Sequence, residues 1–318
     1  MTNTLPFMQA LGHGIHVIDT GFHRPMFDAS YLIIERGHGA FVDTGTNHSV
    51  PRLLAAIAAA GLAPDAIDHV IATHVHLDHA GGVGLLMQHL PRATLLVHPR
   101  GAPHLIDPAK LMTGARAVYG DEEVARSYGE VVGVAAERVR QTHDGLVIEL
   151  AGRPLRFFDT PGHARHHDCI YDEASRGFFT GDTFGLSYRE FDTPKGAWLM
   201  PTTTPVQFEP GPLRKSVERL LALSPERMYL THYGAVTEPA RLGAMFLEHL
   251  DAMVALATSV EPGAGRHAAL VRGLAALTHA RLAAHGCALS TARIDELLAL
   301  DFELNAQGLG IWLDRKPA

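Results

Sequence analysis

Cysteine is nearly absent: Cys169 and Cys287 are the two thiols in 318 residues. Two cysteines form no disulfide framework, and so sparse a usage suits a reducing cytosol. Long hydrophobic runs are missing too. The longest apolar-looking stretch, around Leu53 to Ala63, is too short to span a bilayer and is Ala-rich like a packed helix. The amino terminus, MTNTLPFMQALG, has neither a basic region nor a long apolar segment, so it reads as no secretory signal. An excess of positive charge is lacking: 27 Lys and Arg stand against 34 Asp and Glu, for a formal net charge of −7 with neutral histidines. A duplex-binding surface needs a basic footprint, so this balance argues against nucleic acid. Charged residues reach only 19% while apolar residues make up 47%, which excludes wholesale disorder and allows a sizeable core. Fixed-period repeats and low-complexity segments are absent as well. What these absences leave is a soluble cytoplasmic protein, without membrane or nucleic-acid partners. Its length suits one large domain, alone or with a smaller appendage.

Histidine, by contrast, is abundant, at 21 residues. Chance clusters become more common at that content, so spacing and context must carry any argument. His16 to Ile18, Tyr31 to Ile34 and Ala40 to Val42 read as short strands separated by turns. Val50 to Ala60 is an amphipathic helix entered through Ser49, with Pro51 in its first turn. His69 to Ala72 is a buried strand, Val83 to Leu90 a helix, and Thr94 to Val97 the next strand. Residues 105 to 137 look mostly helical. Strand signals return at Leu146 to Leu150, Leu155 to Phe158, Cys169 to Tyr171 and Phe178 to Thr180, and end at Met228 to Thr231. Residues 186 to 212 carry five prolines and no clear period, and a loop of that length in a compact domain is usually functional. After Pro239 apolar residues recur at helical spacing: Leu242, Phe246, Leu250, Met253 and Ala257, then Leu270, Leu274 and Leu277, then Ile294, Leu297 and Leu298. The expected division is an αβ domain over 1–238 and a helical extension over 239–318.

The segment Thr73-His74-Val75-His76-Leu77-Asp78-His79-Ala80-Gly81-Gly82 follows directly on a buried strand. It places four ligand-type residues, His74, His76, Asp78 and His79, within six positions. In extended geometry His74 and His76 point the same way, as two parallel imidazoles able to share one metal. Asp78 and His79 come where the chain turns toward a helix, and Gly81-Gly82 lets the backbone pass close to a charged site.

This run resembles the HxHxDH signature of the metallo-β-lactamase superfamily, and further motifs follow in that family's order. Thr160-Pro161-Gly162-His163 matches TPGH, Thr180-Gly181-Asp182 matches the GD motif, Thr231-His232 ends a late strand, and Phe41-Val42-Asp43-Thr44-Gly45 matches the early DTG motif. The resemblance implies an α/β fold, an αββα sandwich of two mixed sheets with the metals at one edge, here followed by the helical appendage. It implies that His74, His76 and His163 hold one metal and that Asp78, His79 and His232 hold a second. Asp182 would bridge the two, with Asp43 supporting the site from behind. For Asp43 a turn-forming aspartate before Thr-Gly is the plainer alternative. His167 lies where glyoxalase II-like members also carry a histidine, which gives it a supporting role, while His166 is expected merely nearby. Cys169, inside a strand, reads as core.

Imidazole and carboxylate ligands suit two divalent ions, Zn²⁺ first, with Fe or Mn²⁺ as alternatives. Two such cations roughly 3.5–4 Å apart bring bound water to a pKa of about 7. The Cys ligand that some zinc β-lactamases carry at the Asp182 position is missing, which argues against lactam hydrolysis. The glutathione-binding segment of true glyoxalase II is not recognisable, and the acidic balance disfavours an RNase Z-type nuclease. The expected activity is hydrolysis of an ester-type bond (thioester, lactone or ester) by a metal-bridging hydroxide. Asp78 would be the catalytic residue, orienting the nucleophile and shuttling its proton. Tyr188, Arg189, Trp198 and Phe208 are the candidates for the substrate-binding wall; packing under a surface loop, or a homodimer contact, is the alternative for these aromatics. The alternative function is an iron-dependent O₂-binding, redox or persulfide-oxidising protein of the same fold.

Overall fold

A computed structural model describes residues 5–203 and 206–315. The first four residues of the amino terminus, and Thr204 and Pro205 of the Pro-rich stretch, lie outside it. The chain divides into two compact units.

The first unit runs to Asp159 and continues through His166–Gly181 and Pro225–Thr237. It contains two sheets. One has seven strands in the order β1 to β7: Met8–Gly12, Ile15–Asp19, Ala29–Glu35, His38–Val42, Ile67–Ile71, Thr94–Val97 and Val139–Gln141. Pairing is antiparallel from β1 to β4 and parallel from β4 to β7. The other has six strands in the order β13-β12-β11-β10-β9-β8. These are β8 Val147–Leu150, β9 Arg153–Asp159, β10 Asp168–Asp172, β11 Gly177–Gly181, β12 Arg227–Leu230 and β13 Gly234–Thr237.

Residue alternation decides which face each side chain serves. Val17, Tyr31, Ile33, Ala40 and Val42 join Ile148, Leu155, Phe157, Ile170, Phe179 and Tyr229 of the second sheet in one buried cluster. Their neighbours Ile18, Leu32 and Phe41 enter another cluster with Leu53, Ala56 and Ile57 of the helix Val50–Ala59 and Leu86 and Met87 of the helix Val83–His89. Each fully buried large side chain of this kind contributes about 1.5–3 kcal/mol. The expected α/β class, two sheets with helices, is what the chain adopts.

Three strands escaped the sequence reading: β1, β7 and β13. The strand β12 is followed by β13, which pairs with it antiparallel, so Met228 to Thr231 does not end the sheet. Residues 105 to 137 hold helices at Ala109–Tyr119 and Asp121–Ser127 and then run without regular structure to Ala135.

The second unit comprises Thr160–Arg165, Asp182–Ser224 and the chain from Glu238 onward. Its helices are Pro210–Ala222, Pro239–Ser259, Arg266–His285 and Thr291–Arg315. Proline opens the first two, where its missing N–H leaves no bond unmade. Gly286, at φ +89°, ends the third, and the Cys287 N–H donates back to the Leu282 carbonyl. Ser290 Oγ accepts the Arg293 N–H at the start of the fourth. These C-terminal helices, expected from the sequence, fall in one compact unit with residues 182–224.

Three of the four wall candidates, Tyr188, Trp198 and Phe208, lie in the core of that unit, while the Arg189 side chain keeps 24% exposure. Tyr188, Trp198 and Phe208 are each at most 1% exposed. The Tyr188 hydroxyl donates to Asp301 at 3.2 Å, Trp198 packs on Phe191 and His249, and Phe208 meets Trp312 edge-on. Arg189 turns back to the Ser187 carbonyl and to Asp192. Large aromatics bury most area in a helix-lined core, and that packing took precedence over exposure to a ligand.

Candidate metal centre

The expected ligands fall into two groups. His74, His76, His163 and Asp182 form one, and Asp78, His79 and His232 the other; within each, one ligand atom per residue lies within 4.8 Å of the rest. Chain geometry explains the delivery. His74 and His76 lie in the bend after β5, and Asp78 and His79 in the short helix Leu77–Ala80. His163 comes four residues after β9, Asp182 directly after β11, and His232 two residues after β12. Strand ends hold such residues at fixed places while leaving their side chains outside the ladder.

The rings of His74 and His76 lie 4.3 Å apart at 82°, so they converge edge to face rather than in parallel. The extended reading of that segment gave the wrong angle because residues 73 and 74 form a bend.

The donor set fits divalent metals because the outer nitrogens of its rings are already engaged. His79 Nδ1 lies 2.8 Å from Asp43 Oδ2, His232 Nδ1 2.9 Å from the Phe27 carbonyl, and His163 Nδ1 3.2 Å from the Thr202 carbonyl. An acceptor at Nδ1 fixes the proton there and leaves Nε2 as the ligand atom, the usual arrangement behind a metal-bound imidazole. The inner atoms converge: His163 Nε2 is 3.2 Å from Asp182 Oδ2, and His232 Nε2 is 3.4 Å from Asp78 Oδ2. The side chains of His79 and His163 are fully buried, whereas that of Asp78 keeps 24% exposure. Of the two ligand-group carboxylates, Asp78 is thus the more open to solvent.

Asp43 is buried behind His79. It accepts the Thr73 N–H at 2.8 Å, the Thr73 hydroxyl and the Thr231 hydroxyl at 2.9 Å. Its φ of +55° also places it in the turn that leads to Thr44-Gly45. His167 stacks on His74 at 4.8 Å and 23°. A side chain at Gly181 would press its Cβ to 2.6 Å from His167 Nε2, so the glycine makes room for that ring. His166 does more than lie nearby: its ring stacks over His74 and meets His76 edge-on. Cys169 is buried, with its thiol toward the Thr180 carbonyl, as core.

Sequence reasoning missed Asp28. It is fully buried, accepts the Thr20 hydroxyl at 2.6 Å, and its carboxyl is pushed up to about 7 by burial, opposed by the nearby His232 and His79. The signal was present: an acidic residue heading the apolar run of β3 needs a polar reason to be there.

Known proteins place this geometry. Residues 23–232 match the sequence pattern of the Metallo-beta-lactamase superfamily. The chain is 26% identical over 246 residues to a metallo-beta-lactamase fold-containing protein of Sulfurisphaera tokodaii, covering 76% of this chain and 84% of the relative. It is 32% identical over 247 residues to the hydroxyacylglutathione hydrolase of Cupriavidus taiwanensis, covering 75% and 70%. Among solved structures, an archaeal metallo-beta-lactamase superfamily protein from Sulfolobus tokodaii superposes with a TM-score of 0.67 at 23% identity, over 94% of this chain and 98% of that one. No helix among the described residues is long and apolar enough to cross a membrane. With its motifs in order and its ligand groups assembled at the strand ends, the chain belongs to the metallo-beta-lactamase superfamily.

Proposed function

We propose that this protein is a dinuclear-metal hydrolase of an ester-type bond in a small molecule, a thioester, lactone or ester. The observation that carries the reading is the pair of ligand groups, with all seven expected residues in them and Asp78 accessible beside the second. The name of the Cupriavidus relative, a hydroxyacylglutathione hydrolase, supports a thioester. Two divalent ions, Zn²⁺ first, would supply electrophilic polarisation of the carbonyl and a hydroxide at neutral pH. His74, His76 and His163 would hold one ion, Asp78, His79 and His232 the other, and Asp182 would serve both. Asp78 would orient the attacking oxygen and take up its proton through the carboxylate oxygen that faces away from His79 and His232. Asp43 keeps His79 in the tautomer that presents Nε2.

The test joins metal analysis to a panel of thioesters, including a hydroxyacylglutathione, with lactones, simple esters and persulfides. About two equivalents of metal and turnover of one ester class are expected. Asp78→Asn should lower kcat/KM by about 10²-fold or more, since general acid–base groups contribute 10²–10⁴, while circular dichroism and Tm stay close to wild type. Iron with visible absorption and activity on persulfide alone would overturn the hydrolase reading, and unchanged turnover in Asp78→Asn would remove that residue from the mechanism.

A further inference from the structure

A third cluster of ligand-type side chains lies in the first unit, outside the two groups already described. His98, Asp159 and Asp168 bring one ligand atom each to within 4.8 Å of one another. His98 is the first residue after β6, Asp159 ends β9 and Asp168 opens β10. Asp159 and Asp168 are direct partners across the β9–β10 ladder. Two carboxylates facing each other across a ladder repel, and the pair is tolerated only where a positive charge or a proton relieves it.

Three observations point to a ligand. Asp168 is fully buried, and its Oδ1 has no hydrogen-bond partner among the described residues, while its Oδ2 accepts the Thr142 hydroxyl at 2.6 Å. A buried carboxylate oxygen left in this state is destabilising unless something neutralises it. His98 Nε2 stands 3.6 Å from Asp159 Oδ1, close to the separation of about 3.4 Å that two ligand atoms show on one tetrahedral ion with bonds of about 2.1 Å. The cluster is also anchored from behind: the Thr142 N–H donates to the Val97 carbonyl, the Asp168 N–H to the Thr73 carbonyl, and the Asp159 N–H to Asp144 Oδ1.

We propose that His98, Asp159 and Asp168 form a third divalent-cation site, distinct from the dinuclear centre, that ties β6 of one sheet to β9 and β10 of the other. One imidazole and two carboxylates suit a borderline ion such as Zn²⁺ or Mn²⁺. Thr142 holds one Asp168 oxygen by hydrogen bond and so directs the other at the ion. Without a cation, the Arg100 N–H donates to His98 Nδ1 at 3.1 Å, which puts the ring proton on Nε2. Cation binding places that proton on Nδ1 instead, and the Arg100 N–H turns to water, which its exposed position allows.

The probe is Zn²⁺. Chelator-stripped wild type, His98→Gln, Asp168→Asn and the double variant are equilibrated with Zn²⁺, desalted, and counted by elemental analysis, with circular dichroism as the check on folding. Each variant should hold one equivalent less than wild type, and the double variant also one less, because both residues serve one ion. Equal counts in wild type and His98→Gln overturn the inference, including the case where extra zinc sits on other surface histidines. Should Asp168→Asn fail to fold, His98→Gln decides alone. Failure of the dinuclear reading looks different: wild type would then hold one equivalent that His98→Gln removes.

Discussion

Asp43 is reached by donors from three separate stretches of chain: Thr73, His79 and Thr231. An asparagine there could keep the left-handed backbone, since Asn tolerates it, but its amide would turn an N–H₂ toward groups that donate. Asp43→Asn should therefore weaken Zn²⁺ binding by about 10–100-fold, the range for partners that orient metal ligands, read by competition with a chelator. Equal affinity would mean that His79 needs no help. His249 makes a different residue-scale prediction. It is nearly fully buried, and burial, with the Arg281 charge beside it, holds its pKa down to about 3. The folded state keeps the ring neutral, while the unfolded chain protonates it below its ordinary value near 6.5. The stability tied to this residue is thus present above pH 6.5 and is lost as pH falls toward 3, by about 1.4 kcal/mol for each pH unit crossed. His249→Phe should flatten the decline in unfolding free energy between pH 7 and 5, measured in urea. An unchanged slope would place the acid sensitivity elsewhere.

At the scale of elements, the segment from Ser187 to Gly211 is a core-forming strap in its own unit. Trp198→Ala should destabilise by about 3–5 kcal/mol, as large-to-small core changes do, and should change kcat/KM by a similar factor for all substrates. Selective loss for one substrate would return Trp198 to a specificity role. The sequence showed the strands with strong period-two patterns and the helices after Pro239, because burial on one face leaves a readable rhythm. It did not show β1 and β7, which are short strands at the sheet edges with no buried residue to set a rhythm. The dinuclear ligands were legible because they come as short motifs. The cluster of His98, Asp159 and Asp168 was not, since its members meet only through the β9–β10 register and the placement of β6. Nor could an aromatic residue in a Pro-rich loop be told from a core residue without knowing what packs against it.

For the molecule as a whole, the helices after residue 238 share their core with residues 182–224. A chain ending at Thr237 strips Trp198 of His249, Tyr188 of Asp301, Thr203 of Asn305 and Phe208 of Trp312. It should aggregate or bind a hydrophobic dye strongly, where full-length protein does neither. A soluble, cooperatively unfolding fragment would contradict the shared core. The bonds that shape the first unit also span great lengths of chain: Asp43 to Thr231 is 188 residues and the Tyr31 hydroxyl to the Leu230 carbonyl 199. Closing loops of that size precedes any reward from the contacts they make. The edge-to-face meeting of His79 and His232 therefore depends on β4, β5 and β12 having already found one another. On the proposed reading, metals would thus be captured by a nearly finished protein, so that apo-protein should fold before it binds Zn²⁺.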